Sequence, residues 1–435
     1  VTRTSEHFDG LLSNLRVDTG ESIAARRDEI TKTLNQEFRQ KTGSVEHRLM
    51  VGSYGRWTAT KGISDLDLLF ILPQSLRADY EKDGGASKAL ARTRTAIKAR
   101  YTSTSVNVDR LIVAVEFSNF VFEVQPVFEN SDKSFSYPDT LTDSWKVTKP
   151  REEIDALGEQ DAVTRGSLRD LCRLARAWKN KHGVPMSGLL IDTLAHNFLR
   201  DRSDYHSIGT SAYDRMVRDF FEFLSDEDDH EFYSAVGSRQ RVRVKKRFQS
   251  KARKAFNLSL AAIEAEGQKN AYKKWRAVFG NLVPAVEQQS LLASAETGNR
   301  SALFVDTEEF IEDGFQIDIR YSLSIDCVVQ QDGFRSKRLR DVLRSKQWLS
   351  PKKHLTFTIT ETDVPPPYQV KWKVLNRGPE AERRNAIRGQ IVNSSSGKER
   401  REHTEFQGNH DVECYLVKGG VVVARDAIEV PIVLD

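Results

Sequence analysis

The chain has 435 residues, 39% hydrophobic and 29% charged, a composition that suits a globular protein with two or three cored domains. Its 66 basic and 62 acidic residues leave a net charge of only +4, so the whole-chain balance neither demands nor forbids a nucleic-acid partner. Three widely spaced cysteines, Cys172, Cys327 and Cys414, exclude a cysteine zinc cluster, argue against a disulfide framework, and suit a reducing, cytoplasmic setting.

In chain order, Ile23, Ile30, Leu34 and Phe38 recur at helical spacing and predict a helix from Gly20 to Lys41. A turn at Gly43 leads to HRLMVGSYGR and then to an apolar strand carrying Asp65 and Asp67. The charged segment Leu76–Tyr101, interrupted by Gly84-Gly85, predicts an exposed helix. Val108–Phe117 and Phe120–Glu129 alternate as strands and predict a hairpin closed by Ser118-Asn119. Helices are expected over Thr164–Lys181, over Ser187–Leu199, through DRMVRDFFEFL from Asp214, and through Lys273 and Trp275 to Gly280. Gln288–Ser301 carries little pattern and reads as a linker. Beyond Phe304, short alternating runs separated by Gly, Pro and Asn turns predict an antiparallel β-sandwich of roughly 130 residues. No stretch reaches the ~20 apolar residues of a membrane span and no secretory leader opens the sequence, so no membrane partner is expected.

The chemistry begins in GSYGRWTATKGISDLDLLFIL, Gly52–Leu72. Strand side chains alternate, so Asp65 and Asp67 share one face, among Ile63, Leu66, Leu68 and Phe70. Two like charges in apolar surroundings are costly unless something positive compensates them. Hard oxygen ligands favour magnesium, manganese or calcium. A two-metal site needs a third oxygen ligand from a neighbouring strand. Glu123, in the apolar run FVFEVQPVF, answers that need; its competing reading is an outward side chain on a half-wet strand. Upstream, Gly52, Ser53 and Gly55 permit close approach of backbone to an anion, and Arg56 is placed to open a short helix. Taken alone, GSYG is more simply an ordinary glycine turn.

The order of GS, SDLDLLF and FEVQPVF resembles the polymerase-beta nucleotidyltransferase superfamily, and within it the cGAS/DncV-like enzymes that make cyclic oligonucleotide signals in antiphage defence. SWKVTKP, Ser144–Pro150, and LCRLARAWKNKHGVPMSGLLIDTL extend the likeness, and the rear of the chain resembles the adenylyl/guanylyl and SMODS C-terminal sensor domain. The resemblance implies an α+β fold, with a polymerase-beta-like core, a helical second lobe and an all-β sandwich-like domain. The expected boundaries are 1–160 for the core with its N-terminal helix, 161–287 for the helical lobe, 288–303 for the linker and 304–435 for the sensor-like domain. It also implies that Gly52 and Ser53 hold a donor triphosphate, that Asp65 and Asp67 bridge two magnesium or manganese ions, and that Glu123 is the third, catalytic carboxylate. Arg176 stands where the family has a triphosphate-gripping lysine, and Ser187 matches a position near the nucleotide cleft, with a helix-start role as its alternative.

The implied partners are nucleoside triphosphates (ATP, with GTP or others), a separate effector that receives the product, and a nucleic-acid or phage-derived activator. The basic run containing Arg239, Arg241, Arg243, Lys245, Lys246 and Arg247 is the candidate contact for that activator. Its plainer reading is a solvated helix balanced by the acids of Asp226–Glu231. Two rival functions are a synthase of linear oligonucleotides and a catalytically silent, nucleic-acid-sensing protein that binds a partner.

Overall fold

The computed structural model describes residues 3–268, 270–285, 308–330, 335–376, 380, 383, 388–394, 397–404 and 407–433. The stretch expected to be a linker, 288–303, lies outside them. By its contacts the chain divides into a front unit, Val1–Ala177 with Ser187–Pro284, and a rear unit, Ala285–Asp435 with Trp178–Met186.

The front unit opens with helices α1 (Arg3–Leu15) and α2 (Gly20–Arg39), strand β1 (Arg48–Met50), the single-turn helix α3 (Gly52–Gly55) and strand β2 (Asp65–Ile71). Helices α4 (Arg77–Tyr80) and α5 (Gly85–Arg100) precede β3 (Ser105–Asp109), β4 (Ile112–Glu116), β5 (Val121–Glu129), β6 (Phe135–Asp139) and β7 (Ser144–Thr148). The sheet runs β1-β2-β5-β4-β3, with β6 pairing β5 and β7. Strands β2 and β5 pair in parallel and every other pair in this sheet is antiparallel.

Alternation divides β2 and β5 into two faces. Leu66, Leu68 and Phe70, with Phe122, Val124 and Phe128, join Ile30 and Leu34 of α2 and Leu90 and Ile97 of α5 in one core. Thus α5, expected to be an exposed helix, buries Leu90 and Ile97 completely. On the opposite face, Leu69, Val127, Val51 and Phe135 form a smaller cluster. The leading half of that second face carries the acids.

One expected strand needs correction. Val108–Phe117 is not one strand: the chain turns at Arg110, whose guanidinium grips Asp139 at 2.7 Å, so β3 and β4 form their own hairpin. The hairpin at Ser118-Asn119 joins β4 to β5 as expected, closed by Phe117 N–H to Phe120 O at 3.0 Å.

A helical lobe completes the front unit: α6 (Pro150–Val163), α7 (Ser167–His182) up to Ala177, α8 (Gly188–Arg200), α9 (Tyr213–Asp226), the hairpin β8 (Phe232–Ser234) and β9 (Arg241–Arg243), α10 (Gln249–Glu264) and α11 (Ala271–Phe279). Helix α1 packs here, with Phe8 edge-on to Trp275 at 5.0 Å and near Tyr213 and Phe279.

In the rear unit, β10 (Gln316–Ile317), β11 (Leu323–Gln330), β12 (Lys337–Arg338), β13 (His354–Thr362), β14 (Gln369–Asn376), β15 (Ile391–Asn393), β16 (Glu399–His403), β17 (Gly408–Lys418) and β18 (Val421–Ile432) form two sheets. Their orders are β10-β18-β17-β14-β15 and β12-β11-β13-β16. One apolar cluster takes Ile325, Cys327 and Phe357 from one sheet and Trp372, Cys414 and Ile428 from the other, as a sandwich requires. The fold is therefore an α+β front followed by a β-rich domain. Its rear unit also includes the last turn of α7, where Lys179 Nζ bonds Asp318 at 3.1 Å and the Ile319 carbonyl at 2.8 Å.

Candidate active site

Register brings the three acids together. Asp67 lies directly opposite Glu123 across the parallel pair, and Asp65 opposite Val121. All three are half-buried and on one face, with Ala114 of β4 as Glu123's other neighbour. A small side chain there leaves the carboxylates' flank uncrowded.

The glycine turn packs onto the same strand. Val51 N–H donates to Asp67 O at 3.0 Å, and Gly52 has φ +63°. A β-carbon on Gly52 would lie 1.8 Å from Asp67 Oδ2, so only glycine fits beside that carboxylate. The Ser53 carbonyl accepts the N–H groups of Thr58 at 2.9 Å and Ala59 at 3.1 Å, which folds the turn back on itself.

Arg56 does not open the short helix; it closes it as the residue after Gly55. Its side chain is buried, with Nε 2.8 Å from Asp192 Oδ2 and a terminal nitrogen 3.3 Å from Glu153 Oε2. Arg176, for which the resemblance implies a phosphate grip, is buried too. Its terminal nitrogens reach Asp192 at 2.6 and 3.0 Å and the carbonyls of Cys172 and Gly188 at 3.1 Å. A triphosphate contact by Arg176 would therefore have to replace some of these bonds. Ser187 caps α8, its hydroxyl accepting Leu190 N–H at 3.2 Å.

Asp192 and Glu153 are the residues that sequence reasoning missed. Burial raises the Asp192 pKa, but Arg176 and Arg56 outweigh burial and hold it at about 2. Burial wins for Glu153, whose carboxyl is raised despite Arg56 and a 3.0 Å bond from the Ser238 hydroxyl. The available signal was an aspartate inside the apolar run GLLIDTL, the same anomaly that singled out Glu123.

The basic run is a strand and a loop before it is a helix. Arg241 and Arg243 flank buried Val242 in β9, Lys245, Lys246 and Arg247 follow exposed, and α10 begins at Gln249. Arg239 sits in the preceding turn with φ +56°. Arg247 pairs with Asp229 and Arg253 with Asp226 at 2.6 Å, while Arg241 lies 4.1 Å from the centre of the Phe232 ring. The acidic stretch thus neutralises part of the run.

Among the described residues, no group of three or more His, Cys, Asp or Glu side chains is placed so as to hold a metal ion. The donor chemistry nevertheless fits a hard divalent cation: three carboxylates on one face, with a hollow at Gly52 that any β-carbon would fill. No described helix is long and apolar enough to cross a membrane.

Residues 3–161 match the family model of the Second Messenger Oligonucleotide or Dinucleotide Synthetase domain, and residues 305–433 that of the Adenylyl/Guanylyl and SMODS C-terminal sensor domain. No curated protein matches the chain. Among solved structures, CdnC with ATP from E. coli MS115-1 is 16% identical, with TM-score 0.48, over 65% of this chain and 99% of its own. The Vibrio cholerae DncV cyclic AMP-GMP synthase is 16% identical, with TM-score 0.44, over 55% and 69%. The STING-associated CdnE c-di-GMP synthase of Capnocytophaga granulosa is 12% identical, with TM-score 0.44, over 56% and 79%. These structural likenesses are loose. The two domain matches together span more than half of the chain, which is thus similar to a second-messenger synthetase domain over its front part and to the sensor domain over its rear.

Proposed function

We propose that the chain is a divalent-metal-dependent nucleotidyltransferase that makes cyclic oligonucleotide signals from nucleoside triphosphates in antiphage defence. The observation that carries this reading is the register of β2 on β5, which sets Asp67 opposite Glu123 and beside the Gly52 turn. This arrangement lies within the stretch that matches the synthetase domain.

In each transfer a ribose hydroxyl oxygen attacks the α-phosphorus of a triphosphate. One phosphorus–oxygen bond forms, the bond to the leaving pyrophosphate breaks, and the hydroxyl proton passes to solvent water. Asp65, Asp67 and Glu123 would hold magnesium or manganese, which supplies charge neutralisation and a lowered hydroxyl pKa when bound. The backbone at Gly52 and Ser53 faces the donor phosphates. Ring closure follows when the linear intermediate returns as both donor and acceptor. ATP, with GTP or another nucleotide, is the substrate class, and a separate effector takes the product. The rear sandwich reads a cue, and the β9 basic run of the front unit is, separately, the candidate contact for a nucleic-acid or phage-derived activator.

The test is incubation with all four ribonucleoside triphosphates and magnesium, with products identified by mass spectrometry. Release of pyrophosphate with a cyclic product supports the proposal. A linear product would leave transfer but remove cyclisation, and absence of any product would overturn the reading.

A further inference from the structure

Asp192 is completely buried on α8, and four donors converge on its two oxygens. Arg176 supplies two, at 2.6 and 3.0 Å, Arg56 Nε a third at 2.8 Å, and the Thr58 hydroxyl a fourth at 3.0 Å. Arg56 and Thr58 belong to the turn that starts at Gly52, whereas Arg176 and Asp192 belong to helices more than a hundred residues later in the chain.

The turn is held on both sides of one strained residue. Trp57 adopts φ +63°, uncommon for a bulky side chain, and is 65% exposed. Its carbonyl accepts from Arg173 at 2.7 Å, and the carbonyl of Arg56 accepts from Arg169 at 3.3 Å. The bonds that Arg56 and Thr58 donate to Asp192 fix the residues before and after Trp57. Thr58 in turn donates its N–H to the Ser53 carbonyl, and Gly52 lies against Asp67. A continuous path of bonds and contacts runs from Asp192 to the acids. On its other side Arg176 ties Asp192 to the Gly188 carbonyl, beside the Ser187 cap.

We propose that Asp192 is a positioning residue: its buried carboxylate pins the Gly52–Ala59 turn to helices α7 and α8 and thereby sets the donor phosphates against Asp65 and Asp67. Stability alone does not explain such a residue. A buried ion pair is often replaceable by apolar side chains without loss of stability, so we assign this one a geometric role as well. Geometry at this place matters, because misplacing a reacting group by about 1 Å can cost up to about a hundredfold in rate. The inference rests on the proposed nucleotidyl transfer, and its test separates the two.

The variants are Asp192→Asn with Arg176→Gln, which keeps the buried charges balanced, and Thr58→Val, which removes one hydroxyl at nearly constant shape. Each is measured for thermal unfolding, for hydrogen exchange at the Thr58 and Ala59 amides, and for kcat and KM of triphosphate turnover. The expected result is a folded protein in which those two amides exchange at least about tenfold faster than in the parent while the β2 and β5 amides stay protected. In the double variant kcat/KM falls by about tenfold or more, with KM raised as well as kcat lowered. A purely structural role would loosen all amides together and lower apparent kcat alone with the folded fraction. That pattern, or unchanged exchange and kinetics in a folded variant, overturns the proposal. If the double variant does not fold, Thr58→Val decides by the same readings. If the parent protein turns over no triphosphate, the proposed function fails, and the exchange readings still judge the pinning by Asp192.

Discussion

Gly52 and Asp67 are so close that no side chain fits between them: a β-carbon on Gly52 would stand 1.8 Å from Asp67 Oδ2. The backbone there is left-handed as well, at φ +63°. Gly52→Ala should therefore cost stability by about 1 kcal/mol or more from backbone strain alone, and it must also displace the Asp67 carboxylate. The expected outcome is a lower Tm and a turnover reduced by at least about tenfold, read by calorimetry and a pyrophosphate-release assay. Parent-like turnover would separate Gly52 from the chemistry.

Asp65→Asn with Asp67→Asn removes two negative charges from one strand face at constant shape. Turnover should vanish, while Tm stays level or rises as like-charge repulsion is relieved. Retained turnover in this double variant would dismiss both aspartates as metal ligands.

Asp192 predicts an acid-side loss of stability. Its pKa is about 2 when folded, against an ordinary value of 3.8. The folded value is depressed, so the stabilisation is complete above the unfolded pKa and is lost as pH falls through the folded one. Its size is about 2 kcal/mol, set by the buried pairing with Arg56 and Arg176. Chemical unfolding between about pH 5 and 2 should show the parent losing stability more steeply than Asp192→Asn. Parallel curves would mean that Asp192 titrates as it does in the unfolded chain.

Deleting residues from 304 onward takes Asp318 and Ile319 away from Lys179, and takes from Asn180 its bonds to Ile317 and Ile319. Trp178, completely buried and part of the same unit, loses cover. The shortened chain should therefore be less soluble and melt lower than the full one. A truncated protein with parent-like Tm, and with basal rate or response to infected-cell lysate altered, would identify the sandwich as a separable regulator.

The acids were legible because period-two alternation in SDLDLLF and FEVQPVF leaves carboxylates where apolar residues are expected, and such anomalies need no tertiary information. The rear sandwich was legible for the same reason, in HLTFTITE and YQVKWKVLN. The break at Arg110 was missed because apolar and β-branched residues resume directly after it, although the buried positions change parity, from Val106 in β3 to Val113 and Val115 in β4. At that turn Arg110 N–H donates to the Asp109 carboxylate and the Arg110 side chain pairs with Asp139, a partner that the local pattern does not reveal. The destination of Arg56 and Arg176 was equally hidden. A sequence reveals a basic residue, whereas its partner Asp192 is fixed only by how α7 and α8 pack. Likewise, nothing local marks Trp178–Met186 as belonging with strands that begin more than a hundred residues later.

Because Asp67 and Glu123 are opposed by strand register, the site tolerates change in length very unevenly. A residue gained in the connection from 72 to 120, away from β4, lengthens a crossover and leaves the two acids facing each other. A residue gained inside β2 or β5 turns every later side chain of that strand to the other face and exchanges carboxylate for core. Insertions and deletions in descendants of this sequence should accordingly collect around Asp83–Gly85 and Thr102–Thr104, while Asp65–Ile71 and Val121–Glu129 keep their lengths to the residue.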